Sequence, residues 1–201
     1  ISRQNGVTPF MTLLAAFDVL LYRYTGQTDL LVGSPIANRN HRETEDLIGF
    51  FVNTLVLRSD LSGNPSFREL LAQVKRMALD AYTYQDLPFD LLMERIRPER
   101  NLSYTPLFQV MFSLENDPMG EIDLPNLHLK PVELDTATAK FDLSVDLIQT
   151  ATGLVGKWEY NTDLFDASTV ERMAEHFETL LSGIITNPDQ PISTLPILSG
   201  T

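Results

Sequence analysis

Cysteine is absent from the 201 residues of this chain. That excludes a disulfide framework, a thiolate zinc site, an iron–sulfur cluster and a cysteine nucleophile. Basic residues are scarce: 15 Lys and Arg against 27 Asp and Glu give a formal charge of −12. Duplex nucleic acid and anionic membrane surfaces call for clustered Lys and Arg, so no nucleic-acid or membrane partner is expected. Long hydrophobic runs are also missing. The uncharged stretch from Gln4 to Phe17 meets Asp18 and Arg23 before it reaches the ~18–20 residues of a membrane span, and no signal peptide is expected ahead of it. Histidine is limited to His41, His128 and His176, none in a metal-spaced pair, so no histidine metal site is expected. His41 stands beside Glu43, Glu45 and Asp46; such a cluster can hold a hard cation, but a solvated charged loop is the favoured reading. The G-x-S-x-G, P-loop and G-x-G-x-x-G patterns do not occur, which removes the common hydrolase, nucleotide and dinucleotide signatures.

What remains is ample material for a core. Residues of the AVILMFWYC set make up 43% of the chain, which is typical of a soluble globular domain. The chain opens on Ile1 instead of methionine, so it reads as a piece of something longer. Thr8-Pro9 has the character of a helix start, and Phe10, Leu13, Leu14, Phe17, Leu20, Leu21 and Tyr24 follow at helical spacing up to Gly26, predicting a deeply buried helix. Leu30 to Ala37 is the continuous apolar run of a strand covered on both faces. A charged loop follows, from Asn38 to Asp46, and then Phe50 to Arg58 alternates as a strand with Phe51, Asn53, Leu55 and Leu57 on one face.

Ser66 and Glu69 have capping-box spacing for a second helix with the stripe Phe67, Leu70, Leu71, Val74, Met77, Ala78 and Ala81. A short helix begins near Pro88, with Asp86 near its cap and Phe89, Leu92 and Ile96 inward. Strands are predicted over Leu107–Leu114, Leu127–Leu134, Phe141–Gln149 and Leu154–Tyr160, the last two forming a hairpin. A final helix carries Ser168 and Glu171 as a capping box and Val170, Met173, Phe177, Leu180, Leu181 and Ile184 as its stripe. The last eleven residues, 191–201, read as an exit segment or linker after a lobe spanning 1–190. Such an order of elements implies an α/β fold with a mixed β-sheet flanked by helices.

Three polar features stand out. Asn53 occupies an otherwise apolar strand face, where a buried amide needs partners to avoid ~1–3 kcal/mol of desolvation cost. It is either a structural hydrogen-bond hub or a site residue. Tyr84 to Asp90 joins two helices with polar groups just ahead of Pro88; it is a plain N-cap turn or a place where exposed N–H groups bind an acceptor. Asp142, Ser144 and Asp146 share one strand face, turned to solvent or, in a two-lobed protein, to a tunnel.

At these residues the chain resembles a known family. Ile48-Gly49-Phe50-Phe51-Val52-Asn53-Thr54-Leu55, followed by Leu57-Arg58, is similar to the I-G-x-F-V-N-T-x-x-x-R motif of condensation domains in nonribosomal peptide synthetases. Tyr84-Gln85-Asp86-Leu87-Pro88-Phe89-Asp90 resembles H/N-Q-D-x-P-F-E, departing at Tyr84 and Asp90. Arg100-Asn101-Leu102-Ser103-Tyr104-Thr105-Pro106-Leu107-Phe108 resembles R-D-x-S-x-x-P-L-F, with Asn101 replacing Asp. The segments Val7–Arg39, Trp158–Phe165 and Pro191–Leu198 resemble the family too.

The resemblance implies a chloramphenicol-acetyltransferase-like lobe, the C-terminal of two that meet at a tunnel; the H-H-x-x-x-D-G motif of the other lobe is not in this sequence. It implies a cytoplasmic enzyme that joins a carrier-bound aminoacyl or peptidyl thioester to the amine of a second carrier-bound amino acid, with the catalytic residues in the missing lobe. The substrates would hang on phosphopantetheine and no cofactor would be bound directly. Expected partners are the N-terminal lobe, peptidyl carrier proteins and a following adenylation domain.

Carried over residue by residue, Asn53, Ser144, Gln85 and Asp86 become tunnel or lobe-junction candidates, and Gly49, Phe51, Arg58, Pro88, Phe89, Arg100 and Pro106 structural motif positions, with Arg58 expected in an ion pair. The loop Asn38–Asp46 would floor the tunnel, and Asn116–Lys140 would be a latch crossing to the partner lobe. Two other readings share the fold: a non-catalytic platform that recruits carriers or tailoring proteins, and an epimerization domain, which the Q-D-x-P-F match disfavours.

Overall fold

A computed structural model describes residues 1–40, 42–97, 106–116, 122–124, 127–129, 138–150 and 152–198. After a four-residue helix α1 (Ser2–Asn5), which the sequence pattern does not announce, α2 runs over Pro9–Thr25. The Thr8 side chain accepts the Met11 amide at 3.2 Å, and Gly26 closes the helix at φ 71°. That left-handed backbone costs glycine nothing. Helix α2 has ten buried residues, because all its faces meet other elements.

Strands β1 (Asp29–Ile36) and β2 (Asn53–Asp60) flank α3 (Arg42–Glu45). Helices α4 (Phe67–Thr83) and α5 (Phe89–Ile96) follow, then β3 (Val110–Asn116). A small antiparallel pair, β4 (Ile122–Leu124) and β5 (Leu127–Leu129), precedes the hairpin of β6 (Leu143–Thr150) and β7 (Gly153–Tyr160). Helix α6 (Ala167–Thr186) is the last long element. The main sheet has five strands in the order β2-β1-β3-β6-β7. Its inner pairs β1/β3 and β3/β6 are parallel and its outer pairs β1/β2 and β6/β7 antiparallel. The expected mixed sheet flanked by helices is therefore what forms.

One sheet face packs on α2, α4 and α6. Leu30 and Val32 of β1, Leu55 and Leu57 of β2, Phe112 of β3 and Leu143, Val145 and Leu147 of β6 all join the core there. Phe17 is its aromatic centre, stacked on Phe112 at 5.1 Å and edge-on to Trp158 and Phe177 at 6.2 and 6.3 Å. The capping box of α4 forms as expected, with Glu69 accepting the Ser66 amide at 2.8 Å.

Three expectations need correction. Strand β2 begins at Asn53, three residues later than Phe50, because the intervening chain belongs to the loop. Helix α6 is capped from Asp166, whose carbonyl accepts the Thr169 amide at 2.9 Å; Ser168 already lies inside the helix and is no cap. In α5, Phe89 and Leu92 are half-buried but Ile96 is 50% exposed, since only the start of that helix touches the body. His176 of α6 is half-buried and meets the Tyr24 hydroxyl of α2 at 2.8 Å.

The stretch Pro191–Leu198 is anchored. Ile192 and Leu195 are buried, the Ile192 amide donates to the Pro65 carbonyl at 2.9 Å, and Arg23 donates to the Leu195 carbonyl at 2.6 Å. Pro196 lies so close to Gly183 that a Cβ there would come within 2.5 Å of the proline ring.

One buried group is out of keeping with the core. Asp18 of α2 is fully buried, and Ser59 of β2 donates to its Oδ2 at 2.6 Å while Oδ1 has no partner. Burial pushes this carboxyl from 3.8 up to about 7, against the Ser59 hydrogen bond, which lowers it. A folded value above the unfolded one means that the stabilisation is complete below the unfolded value and is lost as pH rises through the folded value. Between pH 4 and 8 this group alone is expected to remove stability, by up to roughly 4 kcal/mol at 1.36 kcal/mol per unit. Urea unfolding of Asp18→Asn should show a shallower decline over that range and a higher midpoint than wild type at pH 8; parallel curves would refute the assignment.

Candidate functional site

Asn53 is the first residue of β2 and turns the same way as Leu55 and Leu57 into the body. Its amide nitrogen donates to the carbonyls of Gln85 at 2.9 Å and Leu87 at 2.8 Å, and its oxygen accepts the amide of Phe89 at 3.0 Å. Both donors and the acceptor of the side chain are used. Of the two readings open to this residue, the hydrogen-bond hub is the one observed.

The same contacts explain why α5 starts where it does. Pro88 occupies the N-cap position without a capping side chain of its own, and the orphan Phe89 N–H is satisfied by Asn53 from another element. Asp86, expected near that cap, is exposed and accepts from Asn40 at 3.0 Å. Gln85 contributes its carbonyl to Asn53.

The loop before β2 is organised by a residue that sequence reasoning passed over. Arg39 donates to the carbonyls of Thr44, of Glu45 at 3.4 Å and of Gly49 at 3.5 Å, and its guanidinium stands 4.2 Å over the Phe51 ring. Asn38, at φ 52°, makes the turn into this loop, a conformation asparagine tolerates better than most residues. The only available signal was a cation at the start of a charged stretch that is followed by two phenylalanines.

Around this frame lies a display of apolar side chains. Ile48 and Phe50 are 104% and 89% exposed. Leu47, Val52, Tyr84, Leu87 and Leu91 are exposed as well. So large an apolar area on loops held this firmly is the mark of a contact surface.

Behind it, Phe89 meets Phe108 edge-on at 5.7 Å, and Phe108 stacks on Phe141 at 5.4 Å. Phe108 is buried directly over Gly33, where a Cβ would fall 2.3 Å from the ring. Pro106 and Leu107 lead into this cluster, Leu107 at φ 74°.

The remaining candidates do not converge on Asn53. Ser144 is buried on the opposite sheet face, opposite Met111, which is itself opposite Gly33. It sits three strands from β2, about 14 Å at ~4.8 Å per strand. Its face neighbour Asp146 accepts from Ser113 at 2.6 Å, so these residues form a polar patch where solvent exposure alone was the simplest expectation. Arg58 makes a bidentate pair with Asp29, 2.8 Å on each arm, at an exposed sheet edge. The hydrogen bonds from Arg58 hold the Asp29 carboxyl below its ordinary range. Such exposed pairs contribute little to stability. Arg100, His41 and most of the Asn116–Lys140 latch lie outside the described residues. Among the described residues, no group of three His, Asp or Glu is placed to hold a metal ion, and no helix is long and apolar enough to cross a membrane.

The Asn53 hub, its capped helix and the exposed loop are built from two of the three motifs that carry the family resemblance. A family model described as Condensation domain matches residues 1–201. The chain belongs to the condensation-domain family. A linear gramicidin synthase of Brevibacillus parabrevis is 55% identical over 203 residues, covering 98% of this chain and 4% of that protein. Malpinin synthetase of Mortierella alpina is 46% identical over 99% of the chain and 3% of that protein. This condensation-domain chain thus spans between 3% and 17% of the length of the curated relatives it is compared with.

Among solved structures, a holo four-domain nonribosomal peptide synthetase bound to AMP and glycine matches with a TM-score of 0.90 at 25% identity, over 98% of this chain and 16% of that one. The X-domain in complex with OxyB from teicoplanin biosynthesis matches at 0.85 and 27%, over 98% and 44%. The chloramphenicol-acetyltransferase-like fold expected of a condensation domain is the fold present.

Replacing Asn53 by Ala leaves two carbonyls and one N–H without partners and should cost about 2–4 kcal/mol. Asn53→Asp keeps the size, loses both donors and should cost at least as much. Denaturant unfolding measures both, and hydrogen exchange should show the first turn of α5 opening before the sheet; a wild-type midpoint in either variant would show the hub to be dispensable.

Proposed function

We propose that this chain is the C-terminal lobe of a nonribosomal peptide synthetase condensation domain and forms one wall of the tunnel in which an amide bond is made. One observation carries the reading. The chain aligns along 98% of itself with the X-domain and yet covers only 44% of it, and the three most exposed of the large apolar side chains among the described residues, Ile48, Phe50 and Tyr84, stand on the motif-bearing loops. Leu47, Ile48, Phe50 and Leu87 then face the N-terminal lobe, which removes them from water.

In the complete domain the amine of a carrier-bound acceptor attacks the thioester carbonyl of a carrier-bound donor. A C–N bond forms, the C–S bond breaks, the amine loses a proton and the phosphopantetheine thiol is released. The contribution of this lobe is proximity: it holds the two tethers so that a bimolecular aminolysis becomes effectively unimolecular. The histidine that orients or deprotonates the amine belongs to the other lobe. In this arrangement Asn53, Gln85 and Asp86 build the lobe junction, Ser144 lines the tunnel, and residues 1–190 form the lobe from which 191–201 lead toward an adenylation domain. The setting is cytoplasmic.

A second reading is favoured by the X-domain, whose complex with OxyB shows that a chain of this fold can hold another protein. A recruitment platform of that kind has no need of the H-H-x-x-x-D-G motif, so the two readings part at the upstream lobe.

The test pairs that sequence with turnover. The complete domain, supplied with flanking carriers charged by their own adenylation domains, should yield the condensed product on the downstream carrier, seen by intact-protein mass spectrometry. The 201-residue chain alone should yield none. An intact upstream motif with product formation supports condensation, whereas a degenerate motif without product would turn the reading to the platform.

A further inference from the structure

We infer that Arg39 is a positioning residue of the condensation reaction: its guanidinium holds the loop between β1 and β2 in the one shape that presents Ile48 and Phe50 to the partner lobe. The inference rests on the proposed function for the role of the loop, and on the geometry for the role of the arginine.

The loop has little regular structure to hold it. Among the described residues between Ile36 and Asn53, the only regular element is the four-residue α3, too short to be stable by itself. Leu47, Ile48 and Phe50 point outward and bring no core contact. Arg39 is half-buried at the base and reaches three carbonyls, those of Thr44, Glu45 and Gly49, which belong to different points of the loop. Its flat face lies on Phe51.

One planar group thus ties the middle of the loop, its far end and the residue before Val52 to the end of β1. The fork of donors in one plane and the stacking face are both in use, and lysine possesses neither. Asn40, the next residue, donates to Asp86 and joins the loop to the turn that Asn53 organises. A loop freed at Arg39 still leaves the core intact, since none of its contacts involves a core side chain. What it loses is the preset placement of Ile48 and Phe50, and misplacement of a wall by about 1 Å can cost up to a hundredfold in rate.

The test uses the complete condensation domain with Arg39→Lys and Arg39→Gln, and Arg76→Gln, at an exposed position of α4, as a control for loss of one arginine charge. Amides 44–51 should exchange with deuterium about tenfold faster in both Arg39 variants. The kcat for product on the downstream carrier should fall between about tenfold and a hundredfold, KM for the carriers should stay within about twofold, and thermal melting should be unchanged. Arg76→Gln should match wild type throughout. Lysine is the decisive variant, because it keeps the charge. Wild-type exchange or wild-type kcat in Arg39→Lys overturns the inference. If Arg39→Lys melts early, Phe51→Leu removes only the stacking partner and must reproduce the faster exchange and lower kcat, or the inference fails. If the wild-type domain forms no product while loop exchange responds as stated, the condensation reading has failed and the assignment of Arg39 as the clamp of the loop stands.

Discussion

A primary amide taken out of water must find two acceptors and a donor, and in this fold the search of Asn53 for partners determines how the functional end is built. Its two N–H groups draw in the carbonyls of Gln85 and Leu87, and its oxygen takes the Phe89 amide. That contact starts α5 and aims the Phe89 ring at Phe108. Phe108 in turn lies over Gly33, in the second strand of the sheet, and stacks on Phe141, just ahead of β6. A single polar side chain at the edge strand is thereby coupled to the middle of the sheet through packed aromatic rings.

The two loops that face outward depend on that arrangement in different ways. The turn over residues 84–88 is held on Asn53 through its backbone and on Asn40 through Asp86, which leaves the exposed Tyr84 side chain free to depart from the family pattern. The loop after β1 is held through its carbonyls by Arg39, and there too the outward side chains are spared from structural duty. Both devices leave apolar side chains exposed on a firm support, a costly arrangement for an isolated chain and a sensible one for a surface that will be covered. The polar patch of Ser113, Ser144 and Asp146 lies apart, on the sheet face turned away from α2, α4 and α6.

Much of this was legible in the residues. Periodicity located α2, α4 and α6 and most strands, since the core face of each element repeats at the spacing of its own backbone. Local chemistry located the Thr8 cap, the Gly26 stop and the Ser66–Glu69 capping box, because these bonds close within a few residues. Errors gathered where the partner is distant. Asp86 has the look of a cap for α5, but the acceptor for the Phe89 amide comes from Asn53, 36 positions before Phe89. Phe50 has the look of a strand residue by alternation, but the neighbouring Phe51 lies under the Arg39 guanidinium in the loop and the strand begins only at Asn53. Arg39 itself left almost no trace, as its partners are backbone carbonyls that any sequence would supply.

The sequence by itself determined the element order, the mixed α/β class and, through three ordered motifs, the family, because hydrophobic period and short-range capping are properties of consecutive residues. Only the tertiary structure decided that Asn53 is a saturated hub, that Asp18 is buried with a single partner, that Ser144 sits on the far face of the sheet, and that Ile48 and Phe50 are turned outward. Each of these depends on which groups from distant parts of the chain arrive at one place to satisfy, crowd or desolvate one another, and no local pattern encodes that.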